Sequence, residues 1–423
     1  MRPHGRYDAP SRRQSRAHSN RTADMTRRHH IDALRALAFA LLILYHWGML
    51  YVGGDDWGWH IKSTHTSEWL QLPMLLVNRW RMSLIFVISG VSSAYLLGRG
   101  GSLSFLGQRT WRLLLPLVFG MLVIVPVQPY VQGIQTGFVK PGFVDFLLRY
   151  YEFRPWPEGA FDGDTNGITW NHLWYLAYLW AFTVALVLVR PLLDSRAGLR
   201  LRDALTGLRG WALLLIPALP IAIETIGLQG HFEDTGDLVH DGYRDVLYFT
   251  MFLYGFWLAR ADGVWNEFAR LRRRSLISAL LLFEPYMWLG QTLPEEMPGA
   301  QQLIWAMRSV YIWLAISAVL GWSKAWLDRP FPWLGWANEA VFPWYVLHQS
   351  FIVLIAYWLV PLHLSAWIEA PAVLVGTVAG CWMGFAIIRR VPPLRPLFGM
   401  KLRPRVQHAA PALRSIEPAN DVA

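Results

Sequence analysis

Ten apolar runs, each long enough to cross a lipid bilayer, constrain this chain more than any other feature of its sequence. About 20 apolar residues in a helix span the roughly 30 Å hydrocarbon layer. Within that layer the backbone must satisfy its own hydrogen bonds, so the runs predict helices. They cover residues 31–51, 80–98, 113–132, 172–190, 209–227, 243–260, 274–291, 303–323, 339–361 and 367–388. The sequence therefore predicts an all-α, polytopic membrane helix bundle of about ten transmembrane helices.

Lysine and arginine are unevenly distributed between the connections that join these runs. Alternate connections, counted from the N-terminal segment, contain thirty of the 39 basic residues, whereas the opposite connections contain five. Cytoplasmic loops of membrane proteins are enriched in basic residues. The pattern predicts that both termini are cytoplasmic. It also accounts for the net charge of +10 without a nucleic-acid partner.

The composition along the chain divides it into three segments. Residues 1–29 are polar and arginine-rich, which predicts a disordered tail. We expect a ten-helix membrane domain over residues 30–390 and a cytoplasmic tail over residues 391–423. No cleaved signal peptide is expected, because no apolar core follows the twin arginines of the first segment. Met25 is an alternative to Met1 as the first residue.

Several kinds of chemistry have no support in the sequence. A single cysteine, Cys381, excludes an intrachain disulfide and zinc ligation by several cysteines. No metal site is predicted. The phosphate-binding loop of P-loop enzymes, the dinucleotide fingerprint, the GxSxG elbow and the HExxH motif are all missing from the chain. ATP hydrolysis, hydride transfer and zinc-dependent proteolysis are therefore unsupported.

The first apolar run carries two ionisable residues, Arg35 and His46, whose side chains are energetically unfavourable within a membrane. Eleven positions at 100° each place them about 20° apart around a helix and about 16 Å apart along it, so they share one face. With the N-terminus inside, Arg35 lies at the cytoplasmic edge and His46 about two-thirds of the way across. An ionisable group at that depth usually faces the bundle interior or a watery cavity. The alternatives are a snorkelling anchor for Arg35 and a structural hydrogen bond for His46.

The cytoplasmic ends of the second and third runs supply a possible anion site. Arg109 and Arg112 lie one helical turn apart, and two guanidinium groups suit a polyphosphate. Ordinary positive-inside charge is the alternative. In the second run, Ser89 and Gly90 allow two helix backbones to approach closely.

Polar residues in later runs are further candidates. His172 begins the fourth run beside Trp174, where aromatic rings form either an interfacial belt or a platform for sugars. His348 lies near the middle of the ninth run and Glu284 within the seventh. Each is a functional candidate because of its cost in lipid. Since Pro285 follows Glu284, a local helix distortion is an alternative explanation there.

In combination and order, these motifs resemble the membrane-bound acyltransferase family 3, and within it the glucan biosynthesis protein C branch, which succinylates periplasmic glucans. The family's first span carries an arginine, ten residues and a histidine, which here are Arg35 and His46. The other matching motifs are IFVISG (85–90) preceded by Arg81, RTWRLLLP (109–116), HLWYL (172–176), LHQS (347–350) and PPLRPLFGMK (392–401). The likeness runs from about residue 28 to 403, with Ala36 and Ile85 as small departures.

The resemblance implies a bacterial inner-membrane O-acyltransferase without a tightly bound cofactor. The donor would be succinyl-CoA or acetyl-CoA, and the acceptor a hydroxyl of an extracytoplasmic glucan or other glycan; no protein partner is indicated. Acyl-CoA would bind through Arg35, Ser89, Arg109 and Arg112. The catalytic residues would be Arg35 and His46, the latter as a general base or a transient acyl carrier. Residues expected to bind the acceptor or orient the reacting groups are Arg81, His172, Trp174, Glu284 and His348.

Three other functions are compatible with a polytopic bundle. The first is acetyl transfer to another cell-surface polysaccharide. The second is a proton-coupled sugar transporter that uses His46, Glu284 and His348 as a relay. Such transporters usually contain matching half-repeats with broken helices, and none is visible in the sequence. The third, a non-catalytic scaffold, leaves the shared face of Arg35 and His46 unexplained.

Overall fold

The structure, a computed structural model, describes residues 28–402 except residues 99, 233–235 and 295. Within these residues the chain forms helices and loops, and its only extended pairing is an isolated bridge between Val52 and Ser67. The fifteen α-helices of this part are α1 (His29–Met49), α2 (Gln71–Leu97), α3 (Ser102–Phe119), α4 (Val127–Gln135), α5 (Phe143–Tyr150), α6 (Trp174–Leu193), α7 (Arg196–Gly207), α8 (Gly210–Leu215), α9 (Ala218–Leu228), α10 (Gly242–Leu258), α11 (Asp262–Thr292), α12 (Ala300–Leu327), α13 (Leu334–Leu359), α14 (Ala366–Arg390) and α15 (Leu394–Leu397). The predicted all-α class is confirmed.

Seven helical segments in the described part of the chain are long and apolar enough to cross a membrane, or eight when one bent pair counts as a span. They are His29–Met49, Glu68–Leu97, Asn171–Leu193, Gly210–Leu228, Ala300–Leu327, Leu334–Leu362 and Ala366–Arg390, with the bent pair Ser102–Ile124 and Val127–Gln135 as the eighth. The runs expected at 243–260 and 274–291 correspond to α10, which has 17 residues, and to the second half of α11. The chain is a multi-pass membrane protein, whereas the count of ten and the cytoplasmic termini stay predictions.

The bundle has two ends, which we call the Arg35 end and the Met49 end after residues of α1. Helix α1 runs from the first to the second, and α2 returns. This antiparallel course brings Ser92, near the end of α2, beside Arg35, whose Nη2 donates to Ser92 Oγ at 2.5 Å. Because α10 packs against α2, the α2 residue Tyr95 donates to the carbonyl of Ala259 at 2.7 Å.

Two glycines set the close approach of α2 and α10. A Cβ atom on Gly90 would collide with the carbonyl oxygen of Phe252, and one on Gly255 would collide with the carbonyl oxygen of Val87. The structure therefore contains the close backbone approach at Ser89-Gly90 that the sequence analysis allowed, and the partner of α2 there is α10. Close backbone packing fixes the side chains of α2 relative to those of α10.

A break after α3 directs polar side chains into the bundle. Pro116 interrupts α3, a π-turn follows at Gly120–Ile124, and α4 continues at an angle of 43° to the segment before it. Proline removes a backbone donor, and a π-turn bends a helix locally. Ser350 of α13 donates to the carbonyl of Ile124 at 2.7 Å and so satisfies one freed acceptor. The bend places Gln128 of α4 in the interior, where it is fully buried.

The segments outside the long helices are also folded onto the bundle. The loop expected at about 133–171 contains α5 and a small apolar core of its own, built around Phe146 and Phe161. Residues 391–402 of the predicted cytoplasmic tail pack back on the Arg35 end, where Arg112 Nε donates to the carbonyl of Gly399 at 3.0 Å. The rest of that tail and nearly all of the N-terminal one lie outside the described residues.

Candidate functional site

The structure joins His46 of α1 to His348 of α13. Nδ1 of His46 lies 2.8 Å from Nε2 of His348, and the two rings are inclined by only 4°. His348 is fully buried, whereas His46 is partly exposed. The two residues are 302 positions apart in the chain, so the sequence identified both without showing that they meet.

The hydrogen bonds of this pair determine where its protons lie. Nδ1 of His348 is 2.7 Å from the carbonyl oxygen of Tyr345 and 3.2 Å from that of Trp344. A carbonyl oxygen only accepts, so Nδ1 of His348 is protonated and its Nε2 is the acceptor. His46 then donates from Nδ1, which leaves Nε2 of His46 unprotonated. That nitrogen has no hydrogen-bond partner among the described residues, and its lone pair could act as a base.

A buried polar cluster continues from the pair toward α4. The ring of His172 meets that of His348 edge-on, with centroids 5.1 Å apart, and its Nε2 donates to the carbonyl of Val346 at 3.1 Å. The amide of Gln128 donates to His172 Nδ1 at 3.2 Å and to Ser350 at 2.8 Å. His172 is therefore held in one tautomer. Its one N–H, at Nε2, donates to a carbonyl, and its other ring nitrogen accepts from Gln128.

The cluster extends to the Met49 end through Gln349, which lies in the LHQS motif, and through His60, Gln132 and Asp162, which the sequence analysis missed. Gln349 donates both to Gln128 Oε1 and to His60 Nε2, each at 3.0 Å. His60 donates from Nδ1 to Gln132 at 2.7 Å, and Gln132 donates to Asp162 at 3.0 Å. His60 lies in the loop between α1 and α2, and burial lowers its pKa. The sequence around His60 did not identify it as a buried site residue, because its burial depends on three segments that are distant in the chain.

Arg81 provides a buried positive charge beside the pair. Its guanidinium lies over the ring of Tyr45, 3.4 Å from the centroid, and the residue is 7% exposed. Its Nε and Nη1 atoms have no hydrogen-bond partner among the described residues, nor does any carboxylate of that part lie within ion-pair distance. A buried charge is normally compensated by a neighbouring anion. Arg81 is thus available to stabilise an anion that arrives with a ligand.

A cavity of about 470 Å³ opens at the Arg35 end and collects the predicted donor-binding residues. Arg35, Ser89, Arg109 and Arg112 all line it, together with Arg28 and Ser92. Arg35 lies 3.6 Å from the carboxylate of Asp32, whereas Arg109 donates to Ser93 at 3.2 Å and no carboxylate of the described part pairs with it. Four guanidinium groups and the carboxylate of Asp32 lie at this opening, so its surface carries a net positive charge.

Three aromatic rings form the floor of this arginine cavity. Phe39, Tyr175 and Tyr345 all line it, and their centroids are 5.3 to 6.3 Å apart. The carbonyl of Tyr345 is the acceptor that orients His348. The floor is anchored at Tyr175, whose hydroxyl lies 2.6 Å from that of Ser89. One layer of rings therefore separates the arginine cavity from the histidine pair.

Two candidates occupy different surroundings from those expected. Trp174 is partly buried and packs against the main apolar core, beside Phe86 and Tyr248. Glu284 is exposed on α11, and the structure does not bring it to the histidine pair. Over the described residues, no group of three or more histidine, cysteine, aspartate or glutamate side chains is arranged to hold a metal ion.

Comparison with known families identifies the same residues as part of one domain. The family model described as an acyltransferase domain matches residues 28–386, which is most of the chain. The match includes every residue of the histidine cluster and of the arginine cavity. No solved structure matches the chain.

The curated relatives match a shorter part of the chain than the family model does. The chain is 29% identical over 164 residues to a glucans biosynthesis protein C of Shigella dysenteriae serotype 1 (strain Sd197). It is 28% identical over 164 residues to a protein of the same name from Escherichia coli (strain K12 / DH10B). Each match covers 38% of this chain and 38% of the relative's length. These relatives therefore inform the substrate only as a hypothesis.

Proposed function

The chain belongs to acyltransferase family 3, and we propose that it transfers an acyl group, with succinyl favoured, from cytoplasmic acyl-CoA to a hydroxyl of an extracytoplasmic glucan or other glycan. One observation carries the proposal: a cationic cavity ends one layer of rings from a histidine with a free basic nitrogen. The names of the relatives favour a glucan acceptor. The bacterial inner membrane is the place where such a donor and acceptor would lie on opposite sides.

The arginine cavity suits the phosphate end of a CoA. Its phosphates are anionic and would enter where Arg35, Arg109 and Arg112 converge. Guanidinium groups bind phosphate oxygens in pairs of hydrogen bonds, with more strength than neutral donors. Since α1 carries Arg35 and His46 about 16 Å apart on one face, an extended pantetheine arm would bring the thioester to the histidine pair. The arm would pass Phe39, which lies between them on that face.

The chemical step needs one base and no metal ion. Nε2 of His46 removes the proton from the acceptor hydroxyl while that oxygen bonds to the thioester carbonyl carbon. The C–S bond breaks, CoA leaves as the thiolate, and the proton passes from His46 to the sulfur. His348 strengthens the base, because its Nε2 accepts from His46 Nδ1 at 2.8 Å and this bond shortens when His46 becomes an imidazolium.

Arg81 contributes a charge to the reaction in this proposal. Preorganised cations stabilise negative charge that develops in a transition state, and burial increases their effect. The guanidinium fits two anions: the carbonyl oxygen as it becomes an oxyanion, and the free carboxylate of a succinyl group. An Arg81→Gln variant separates them. Equal losses with succinyl-CoA and acetyl-CoA indicate the oxyanion, whereas a loss restricted to succinyl-CoA indicates the carboxylate.

The experiment that tests the proposal uses the purified protein in proteoliposomes with labelled succinyl-CoA or acetyl-CoA and glucose oligosaccharides. We expect an O-acylated sugar and one free CoA per ester, measured by mass spectrometry. The gene's deletion should remove the same mass from the cell's extracytoplasmic glycans. Sugar counterflow without any acylated product would overturn the proposal in favour of a transporter. Glu284 is exposed and has no contact with the histidine pair among the described residues, which argues against the relay that a transporter would use.

A further inference from the structure

A second polar cavity opens at the opposite end of the bundle and is not part of the site described above. It has a volume of about 230 Å³ and lies between α2, α10 and α12. We call it the outer cavity. Its polar lining includes Asn78, Arg79, Gln229, Tyr243, Arg244 and Arg308. The three arginines come from three different helices, so their convergence is a property of the fold.

Arg308 is the most buried of the three. It is 9% exposed, and its Nη2 donates to Gln229 and, at 3.0 Å, to the hydroxyl of Tyr243. Both partners are neutral, and Nε has no hydrogen-bond partner among the described residues. Taking a charge out of water is costly unless an opposite charge or enough hydrogen bonds replace the water. Arg308 therefore lacks the compensation that a buried arginine usually has.

Arg79 reinforces this excess of positive charge. Its Nε is buried, and within the described part of the chain it has no hydrogen-bond partner and no carboxylate at ion-pair distance. The acidic residue in the lining is Asp241, which lies 3.5 Å from Arg244. Among the residues that the structure describes, which exclude 233–235, no carboxylate forms an ion pair with Arg79 or Arg308. Converging guanidinium groups of this kind bind carboxylates and phosphates.

The position of the outer cavity relates it to the acceptor. Arg79 and Arg81 are two residues apart on α2, about 3 Å along the axis and on different faces, so the cavity lies at the depth of Arg81. Tyr248 lines the cavity and packs on Phe86 of α2, with centroids 4.8 Å apart. The cavity opens at the Met49 end, opposite the arginine cavity. A ligand reaching it arrives from the side that the proposed function gives to the acceptor.

We propose that the outer cavity binds an oxyanion carried by the acceptor glycan, either a carboxylate or a phosphate ester, and thereby selects anionic acceptors. The assignment to the acceptor rests on the proposed function. Binding of the oxyanion itself does not. Free phosphate and a lipid headgroup present the same chemistry, and separate arms of the test distinguish them.

A binding experiment tests the cavity without any acyl transfer. The purified protein is titrated with glucose 6-phosphate, glucose, inorganic phosphate and dihexanoyl phosphatidylglycerol, and thermal unfolding is followed. We expect glucose 6-phosphate to stabilise the protein and glucose not to do so. Arg79→Gln should weaken this binding at least tenfold, whereas Arg154→Gln, which removes an exposed arginine of the outer loop, should not. Unchanged binding in Arg79→Gln overturns the proposal.

Two further comparisons assign the ligand. Arg112→Gln should retain the Arg79-dependent binding, because it alters only the opposite cavity; loss of that binding would place the ligand there and contradict the proposal. Stabilisation by the lipid analogue alone would overturn the assignment to a glycan. Arg79 is only partly buried, so its variants avoid the folding problem that a change at the buried Arg308 presents.

An activity experiment tests selection of the acceptor. A glucose oligosaccharide is compared with one that carries a glucuronate residue. Arg79→Gln should lower the ratio of kcat/KM for the anionic acceptor to that for the neutral one about tenfold, and Arg79→Lys should restore part of it. An unchanged ratio overturns selection. Failure of wild-type protein to acylate either sugar would contradict the proposed function, while the binding experiment would still decide the cavity.

Discussion

The histidine cluster and the arginine cavity are built on opposite principles. In the cluster of His46, His60, His172 and His348, every ring nitrogen has a hydrogen-bond partner in the described chain except Nε2 of His46. In the arginine cavity, the hydrogen bonds of Arg109 and Arg112 within the described part of the chain go to the hydroxyl of Ser93 and the carbonyl of Gly399. The first arrangement fixes proton positions before substrate arrives. The second leaves positive charge without a carboxylate partner at Arg109 and Arg112, so under the proposed function the first region would carry the chemistry and the second would bind the donor.

The largest expected effect comes from His46→Ala. Removing a general base typically costs 10²–10⁴-fold in rate, about 3–5 kcal/mol of barrier. The loss should be in kcat, with acyl-CoA binding nearly unchanged, because the arginine cavity stays intact. Steady-state kinetics and donor binding by calorimetry measure the two quantities. Exposed His231 supplies the matched control in His231→Ala. Near-normal turnover in His46→Ala would contradict the assignment of the general base to His46.

His348→Ala should have the next largest effect. The variant leaves His46 without the acceptor that sets its tautomer, and the loss of such a supporting group typically costs about 10–100-fold. We expect a lower kcat, with the pH dependence of kcat also displaced. Full-length protein that folds normally but shows an unchanged pH profile would indicate that His348 has a structural role only.

Arg109→Lys tests the binding side of the comparison. The charge is retained but the paired hydrogen bonds to phosphate are lost. We expect the KM for acyl-CoA to rise about tenfold, equivalent to about 1.4 kcal/mol, with kcat changed by less than about threefold. Arg196→Lys, an exposed position on α7, is the control. A fall in kcat with unchanged KM would place Arg109 in the chemical step instead.

The smallest expected effect is a pH dependence of stability from His60. Burial lowers its pKa below 6.5, so the unfolded state binds a proton more readily than the folded state. The contribution of His60 to the free energy of unfolding is therefore constant above pH 6.5. It is lost as the pH falls below that value, by at most about 1.4 kcal/mol per pH unit. Denaturant unfolding of the wild type and His60→Gln between pH 5 and 7.5 measures it. Equal slopes in the two proteins would contradict the assignment.

The sequence predicted what one helix can determine alone. Helical spacing placed Arg35 and His46 on one face, and in the structure Arg35 lines the arginine cavity and His46 belongs to the histidine pair. It did not predict that His348 would bond to His46, because contacts between helices depend on packing. Helices that are apolar on all sides carry no pattern that shows which face meets a neighbour.

A polar residue within an apolar run is energetically unfavourable in lipid, and this criterion identified site residues only in part. It identified His348, which is buried in the cluster, and also Glu284, which is exposed on α11. Both residues satisfy the same rule in the sequence, since each lies within an apolar run. The residues that connect the cluster to the Met49 end, His60 and Gln132, lie in a loop and in a short helix. His60 is buried by contacts with Gln132 and with Gln349 of α13, which are distant in the chain, so the sequence did not show them.

The aromatic floor of the arginine cavity has a consequence for the cell beyond the reaction. On one side of Phe39, Tyr175 and Tyr345 lies a polar opening; on the other, a hydrogen-bonded chain runs from His172 to exposed Asp162. A continuous file of water between them would conduct protons and dissipate the electrochemical gradient across the membrane. Phe39, Tyr175 and Tyr345 lie between the two regions with their centroids 5.3 to 6.3 Å apart, and in the proposed reaction the uncharged pantetheine arm would pass along Phe39. Under the proposed function, such a layer would limit proton leakage through a protein whose two substrates approach from opposite sides.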